Sequence, residues 1–552
     1  MPTAPLRSTT PTIDIYVKLA QYPILCDRIR LQMREELFAR GIISQQDFEK
    51  EVKQIATESQ RREGLNNPTS QEDEVTWQKR LDAVRELHTD MYFANNLGSG
   101  LLEQLIDKIL NNREFDSGNE NTDLTFNPEI APWALLFKQG EIYDALPPPK
   151  KELVKHHLEE IKVVLIKRLL SDQLPFIAVA KKVFTIRDLH WIYERLIGGG
   201  KIGGKAGGMM LAWKILSQNK PEFGPVIADQ VGIPETFFIG SEIIYEFIYY
   251  NQYERYVNQK YLPIDDIKNQ YPGILNAFLE GSFPDYIVEQ LEHILQQINS
   301  RPFVVRSSSL LEDHLAYAFA GHYKSCFCPN QGTLAENLID FQQAIKEVYA
   351  STFNPKAMGE RQKNGLIDYD ERMAIMVQPL IGEQYGRYFI PTAIGTGLSQ
   401  ETSRNSGKPD GHIHLTWGFA ERTVGSQMQT FCNINLGNPK ESGMEEQQKE
   451  VRVLSLDNNR FQTLPLTTIR EKDYSLSTFI FSNKKNETKP QITFQKIAKD
   501  PKFIKLMRTV LQRLKTVYKN PVIIEFSLDI KPTITGADYK LYILQCHIDT
   551  QG

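Results

Sequence analysis

The spacing of hydrophobic and polar residues divides the chain into a helical part and a mixed part. Over residues 14–112, apolar residues recur three and four positions apart between charged ones, as in Cys26 to Phe38 and Thr76 to Phe93. This spacing follows the period of the α-helix and predicts an all-α N-terminal domain over residues 1–115. After residue 196, strand-like and helix-like segments are mixed, which predicts an α+β domain over residues 196–552.

Residues 116–195 are predicted to form a linker and a helical connector. A polar stretch at 116–123 and the three prolines 147–149 indicate loops. We expect the prolines to form a stiff extended link into a helix over Glu152 to Leu170. Polar insertions near 399–411, 437–450 and 482–491 are predicted to be surface loops.

Composition narrows the classes of function. The chain has 552 residues, a net charge of −4 and a pI near 6.3. It therefore lacks the excess of basic residues that is typical of nucleic-acid-binding proteins. It has no apolar run of the roughly 18 residues that a membrane span needs, and its N-terminus lacks the apolar core of a signal peptide. We therefore expect a cytoplasmic protein without membrane or nucleic-acid partners. Five cysteines without a CxxC pair predict reduced thiols.

The stretch from Ile197 to Gly208 is the strongest local signal. It holds seven glycines and two lysines directly before an apolar helical run, Met209 to Leu216. A glycine-rich loop that leads into a helix suits phosphate, because backbone N–H groups can approach the anion and the helix N-terminus is partly positive. The spacing GxxxxGK of a P-loop is present, but Ala206 occupies the position of the Mg²⁺-binding Ser or Thr. A dinucleotide fingerprint also fits the glycines, but no parallel-strand unit precedes them. Glycines needed only for close helix packing remain an alternative.

A second candidate site lies around Arg306. A short apolar strand, Phe303 to Val305, is predicted to deliver Arg306 to its end, and three serines follow it before a predicted helix. The planar guanidinium of arginine can hold phosphate oxygens. Equally, Ser309 and Glu312 fit a capping box, and Arg306 could pair with Glu312 or Asp313.

A third candidate site lies near the C-terminus. Residues 522–530 and 540–547 read as two strands joined by a loop that contains Pro532 and Gly536. The two-residue period puts Glu525, Ser527 and Asp529 on one face of the first strand, and Gln545 and His547 on one face of the second. Carboxylates on a strand can hold Mg²⁺ against nucleotide phosphates. An amphipathic hairpin with its polar face in water is the alternative, and the register across the loop stays open.

The order of these elements resembles the nucleotide-binding domain of pyruvate phosphate dikinase and phosphoenolpyruvate synthase over about residues 196–548. That family's domain has an ATP-grasp fold, in which two α+β subdomains close over ATP, so the resemblance implies this fold here. The segments that carry the resemblance are Gly203–Gly208, Val231–Phe237, Val304–Ser308, Glu312–Asp313, Phe319–Gly321, Met376–Pro379, Thr416–Glu421, Ile524–Phe526 and Leu541–Gln545.

The resemblance also implies roles for single residues, with ATP and Mg²⁺ as cofactors. Lys205, with Gly203 and Gly204, would contact the nucleotide phosphates, and Arg306, with Ser307, would stabilise charge on the transferred group. Glu525 would ligate magnesium, Gln545 would orient the phosphates or the metal, and Glu421 would be a weaker nucleotide contact. The predicted catalytic residues are Lys205, Arg306, Gln545 and His547, and the predicted metal ligands are Glu525 and Asp529.

Two positions depart from the family's pattern. Ile523 stands where the family has an aspartate, and His547 stands where it has an arginine. Asp529 is the candidate to replace the missing carboxylate, at a different spacing. Histidine is charged only in part near neutral pH and cannot make a bidentate fork. The segment Gln384 to Ile390 follows the family's SGVxFT pattern only loosely.

These features predict an ATP-binding phosphotransferase of the kinase or dikinase type. None of the ten histidines precedes Ala or Ser, so the family's phosphohistidine domain and its phosphoenolpyruvate-binding barrel are not expected in this chain. The phosphoryl acceptor would then be a separate protein or a small molecule. The alternative is a catalytically weak nucleotide-binding regulator whose helical region docks a partner.

Overall fold

The structure is a computed structural model of the 552-residue chain. The chain forms two compact units, residues 1–164 and 165–552, and the predicted boundaries after residues 115 and 195 stay predictions. Apart from a few isolated positions, the structure describes residues 25–63, 73–97, 99–111, 127–218, 227–312, 322–399, 411–419, 432–438, 450–466, 479–482, 491–533 and 536–549.

The N-terminal unit has only helices as regular elements among its described residues. The apolar positions read from the sequence form its core, for example Met33 and Leu37 with Phe48 and Val52. The all-α N-terminal region is therefore confirmed. Its helices are α1 (Cys26–Ala39), α2 (Gln45–Arg62), α3 (Glu74–Asn96), α4 (Ser99–Asn111), α5 (Trp133–Asp144), α6 (Pro148–Leu153) and α7 (Lys155–Leu169), and the unit boundary falls inside α7.

The prediction of an extended proline link is wrong. Pro147 is extended, with ψ 150°, but Pro148 and Pro149 open the short helix α6. Proline is tolerated in the first turn of a helix because the N–H groups there have no partner within the helix. The prolines thus start the helical connector instead of separating it from the preceding loop.

The described residues of the second unit combine helices with four sheets, so the α+β class is confirmed. Within the described residues, no helix is long and apolar enough to cross a membrane. Its helices are α8 (Leu174–Val183), α9 (Ile186–Tyr193), α10 (Gly204–Ser217), α11 (Ile243–Tyr250), α12 (Ile264–Glu280), α13 (Asp285–Ile298), α14 (Leu334–Ala350), α15 (Pro355–Lys363), α16 (Gln495–Ala498) and α17 (Pro501–Tyr518).

Eighteen strands in the described residues build these sheets. They are β1 (Leu196–Ile197), β2 (Val231–Gly232), β3 (Phe237–Ile239), β4 (Phe303–Ser309), β5 (Ser325–Cys328), β6 (Met373–Pro379), β7 (Glu383–Tyr385), β8 (Tyr388–Ile390), β9 (Ile394–Leu398), β10 (His412–Thr416), β11 (Cys432–Asn435), β12 (Gly443–Met444), β13 (Glu450–Ser455), β14 (Arg460–Pro465), β15 (Phe481–Ser482), β16 (Gln491–Ile492), β17 (Val522–Thr533) and β18 (Gly536–Ile548).

Two of the sheets position the candidate site. A five-stranded sheet has the order β1-β3-β6-β4-β5, and a seven-stranded sheet has the order β12-β11-β10-β9-β17-β18-β2. In the first, Phe303 and Val305 of β4 belong to a hydrophobic core that includes side chains of α11 to α14. In the second, Ile524, Phe526 and Leu528 of β17 are completely buried. Two smaller sheets have the orders β14-β13-β8-β7 and β15-β16.

The C-terminal hairpin is longer than predicted. Its strands run to Thr533 and from Gly536, so Pro532 lies in β17, opposite Ala537, and not in a loop. The partner on the other side, β9, pairs only with Ile523 to Ser527. Leu528 N still donates to the Ala393 carbonyl oxygen, but beyond it no described strand pairs with β17 on that side. Proline, which cannot donate to the ladder, is tolerated at such an edge.

Candidate functional site

The glycine loop meets strand β4 at the start of helix α10. This helix begins at Gly204, so the last part of the predicted loop forms its first turn. Gly203 has φ +84°, and a Cβ there would lie 1.5 Å from the Ser308 carbonyl oxygen, while one at Gly204 would lie 1.7 Å from the Glu312 carbonyl oxygen. Ala206 N–H at the helix start donates to Ser308 Oγ over 2.9 Å. Close packing against protein backbone is therefore enough to explain why these two positions are glycine.

Lys205 projects from the first turn of α10 into a buried ion pair. Its Nζ lies 3.0 Å from Glu312 Oε1 and 3.2 Å from Ser307 Oγ, and the side chains of Lys205 and Glu312 are 4% and 0% exposed. Glu312 also accepts from Ser307 Oγ over 3.1 Å and from Ser309 N over 3.0 Å. A buried charge needs such pairing and hydrogen bonding. The pair joins α10 to the end of β4.

Arg306 lies in the middle of β4 and not at its end. The strand continues because Ser307 and Ser309 pair with β6, opposite Ile375 and Met373. The Arg306 guanidinium donates from Nη2 to Glu525 Oε2 and from Nη1 to the Leu544 carbonyl oxygen, both over 3.0 Å. It thus pairs with a carboxylate of the seven-stranded sheet, and the alternative of a local pair with Glu312 is wrong.

A β-bulge in β18 supplies one of these acceptors. Glu525 pairs with Gln545, but the next residue, Phe526, pairs with Ile543, so that Leu544 is the extra residue. A bulge locally redirects the groups of the strand that carries it. Here the extra residue's carbonyl oxygen accepts from Arg306. Gln545 lies beside Glu525, and its Oε1 is 3.5 Å from Arg306 Nη2.

Three residues that the sequence interpretation missed share the face of Glu525. Thr396 of β9 pairs with Glu525, His414 of β10 pairs with Thr396, and Asn433 of β11 pairs with His414. Directly opposed residues of antiparallel strands point to the same face. With Gln545, these residues form a polar row across five strands.

The sequence holds only a weak signal for this row. His412 and His414 alternate with Ile413 and Leu415, as residues of a half-buried strand do. That alternation identifies a polar face but does not say which strand lies beside it. The row could therefore be found only once the strand order was known.

The two departures from the family's pattern lie directly opposite each other. Ile523 pairs with His547, two positions along each strand from Glu525 and Gln545, with the pair Ile524 and Cys546 between them. An aspartate and an arginine at this pair of positions would neutralise each other. This chain has an apolar side chain and an imidazole there instead.

The geometry does not favour Asp529 as a second ligand for an ion at Glu525. The two residues are four positions apart on β17, which corresponds to about 13 Å between Cα atoms. Mg²⁺ holds its ligands at about 2.1 Å, so carboxylates this far apart do not share one ion. In the strand register, Asp529 lies opposite Lys540 of β18. The described residues contain no group of three or more His, Cys, Asp and Glu arranged for a metal.

The predicted site residues therefore fall into two clusters. Arg306, Glu525 and Gln545 meet between the two sheets, and His547 lies two residue pairs further along the hairpin. Lys205 contacts Ser307, whose side chain leaves β4 on the face opposite to that of Arg306, because consecutive strand residues alternate. Glu421, Asp313 and residues 319–321 lie outside the described residues.

Two further segments of the resemblance meet in the interior. Gln378 of β6 donates from Nε2 to Thr236 Oγ1 over 2.9 Å, and Thr236 is completely buried. The same amide contacts the sulfur of Met209 on α10. The contact links β6, the segment before β3 and the helix that carries Lys205.

The chain matches a known family model over most of the second unit. Residues 200–551, more than half of the chain, match the model described as pyruvate phosphate dikinase, AMP/ATP-binding domain. A comparison with curated proteins gives no match. The matched residues include the glycines before α10, Arg306 on β4 and the β17–β18 hairpin. The chain therefore belongs to the family of the pyruvate phosphate dikinase AMP/ATP-binding domain.

Proposed function

We propose that this chain is a phosphotransferase that uses Mg-ATP in an ATP-grasp-type site between its five-stranded and seven-stranded sheets. The observation that carries the proposal is the position of Arg306. Its guanidinium extends from one sheet to Glu525 and to the Leu544 carbonyl of the other. Such a group suits phosphate oxygens held between two layers, because its N–H donors form a rigid fork.

The residues around Arg306 fit a nucleotide with magnesium. Glu525 and Gln545 provide a carboxylate and an amide oxygen, and Mg²⁺ in nucleotide sites is commonly held by one or two carboxylates together with substrate phosphates. Bound magnesium would neutralise phosphate charge during transfer. Lys205 would reach the phosphates only by leaving Glu312. The acceptor would be a separate protein or a small molecule in the cytoplasm.

The proposal predicts magnesium-dependent stabilisation by ATP. Mg-ATP at 100 times its Kd should raise the free energy of unfolding by about 2.7 kcal/mol, since the ligand binds the folded state only. Thermal unfolding at increasing ATP concentration measures this, and the same titration in EDTA is the control. Labelled ATP would in addition release phosphate, pyrophosphate or AMP. Unfolding that ATP does not shift, with or without magnesium, would contradict the proposal.

A second candidate function is a nucleotide-binding regulator with weak catalysis. The pair Ile523 and His547 favours it, because the site lacks one carboxylate and one permanent cation of the family's pattern. If this pair limits turnover, the double variant Ile523→Asp/His547→Arg should be about tenfold faster, which corresponds to about 1.4 kcal/mol in the barrier.

The two single variants are the controls for this prediction. Each places one charge opposite a residue that does not neutralise it, so we expect lower thermal stability and no gain in turnover. A double variant no faster than the natural protein would show that this pair is not what limits catalysis.

A further inference from the structure

A chain of buried contacts leads from the Lys205 ion pair to Glu371, for which the proposed function has no role. Ser309 N donates to Glu312 Oε2 over 3.0 Å, and Ser309 Oγ contacts Glu371 Oε1. Leu311 N donates to the same serine hydroxyl over 2.9 Å. Ser309 therefore holds both carboxylates, Glu312 through its backbone and Glu371 through its side chain.

The surroundings of Glu371 place its titration near neutral pH. The residue lies two positions before β6 and is 7% exposed, and burial raises the pKa of its carboxyl to about 7. Arg361 of α15 acts in the opposite direction on this pKa, and Glu312 acts in the same direction as burial. Tyr323 also faces the group, and burial raises the pKa of its phenol, so it stays neutral in this range.

We propose that Glu371 is a positioning residue of the nucleotide site, which through Ser309 sets how firmly Glu312 holds Lys205. This rests on the proposed function, in which Lys205 leaves Glu312 to contact phosphate. No contact joins Glu371 to Arg306 or Glu525 in the described structure, so its effect is expected on the Lys205 cluster.

The charge of the cluster gives the sign of the effect. With a protonated Glu371, the charged groups described around Ser309 are two cations, Lys205 and Arg361, and one anion, Glu312. Ionisation of Glu371 adds a second anion, which strengthens the hold on Lys205 and removes the net positive charge that favours a polyanion. Nucleotide affinity should therefore fall as the pH rises through neutrality.

The Glu371→Gln variant tests this pH dependence. Glutamine has the shape and the charge of the protonated side chain. Up to about pH 8, the variant should therefore keep the affinity that the natural protein has at low pH. We expect the Kd ratio of natural protein to variant for Mg-ATP to rise about tenfold between about pH 6 and pH 8. Ionisation of ATP itself cancels in this ratio.

Two comparison variants accompany Glu371→Gln. Glu289→Gln makes the same change at an exposed carboxyl of α13 and should leave the pH profile unchanged. Ser309→Ala removes the hydroxyl that joins Glu371 to the network, so it should flatten the profile as Glu371→Gln does. A Kd ratio that stays constant with pH for both Glu371→Gln and Ser309→Ala would overturn the proposal.

A second measurement does not need nucleotide. Acylation of lysines followed by mass spectrometry reports how often Lys205 leaves its buried pair, relative to the exposed Lys505. At about pH 8 we expect Glu371→Gln to raise this relative rate at least about threefold, because one anion near Lys205 is gone. An unchanged rate would overturn the positioning role. If ATP binding fails while this rate changes, the proposed function is wrong and the role of Glu371 in holding Lys205 stands.

Discussion

Replacing Lys205 by methionine is expected to lower the free energy of unfolding by about 3–5 kcal/mol, as measured by chemical denaturation. The reason is the burial of Glu312, which is 0% exposed and would lose the only cation paired with it among the described salt bridges. Methionine fills a similar volume, so the loss reports mainly the unpaired charge. Lys505→Met, at an exposed position of α17, is the control and should change stability by less than about 0.5 kcal/mol.

The double variant Lys205→Met/Glu312→Gln separates structure from binding. A neutral amide in place of the carboxylate removes the uncompensated charge. Its oxygen can accept from Ser309 N and its NH₂ group can donate to Ser307 Oγ, so we expect most of the lost stability to return. Affinity for Mg-ATP should not return if Lys205 contacts phosphate. Recovery of both stability and affinity would show that Lys205 only joins α10 to β4.

Features with a local cause could be predicted from the sequence. The three-and-four spacing around Met33 and Leu37 sets helix α1 without reference to the rest of the chain. The glycines before Met209 indicated the start of α10 for the same reason. The order of the dispersed motifs also indicated the family, because several segments in one order are more specific than any one of them.

Features that depend on long-range pairing could not be predicted. Lys205 and Glu312 are 107 positions apart, and Arg306 and Glu525 are 219 apart. The local alternative of a pair between Arg306 and Glu312 was reasonable in sequence, but Arg306 reaches Glu525 of the other sheet, whereas Glu312, which lies beyond the end of β4, folds back onto Ser307 and Ser309. The bulge at Leu544 also has no local signal, because it depends on the register between β17 and β18.

Replacing Arg306 by methionine is expected to lower affinity for Mg-ATP at least about 100-fold and stability by about 3–5 kcal/mol. Arg306 is the side chain that joins Glu525 and the Leu544 carbonyl to the five-stranded sheet. Its loss leaves a carboxylate that is 11% exposed without this partner. Titration with Mg-ATP and denaturation measure the two effects. Arg187→Met, at an exposed position of α9, should change neither.

Two milder variants distinguish the parts of this contact. Arg306→Lys keeps the charge but not the fork, so one ammonium replaces two separate guanidinium nitrogens, and we expect an intermediate loss. Glu525→Gln should lower the affinity measured with magnesium much more than the affinity measured in EDTA, because it removes a metal ligand and leaves Arg306 in place. Equal losses under both conditions would mean that Glu525 serves only to position Arg306. In that case the seven-stranded sheet would contribute an anchor for the arginine, and the magnesium ligands would have to come from elsewhere in the chain.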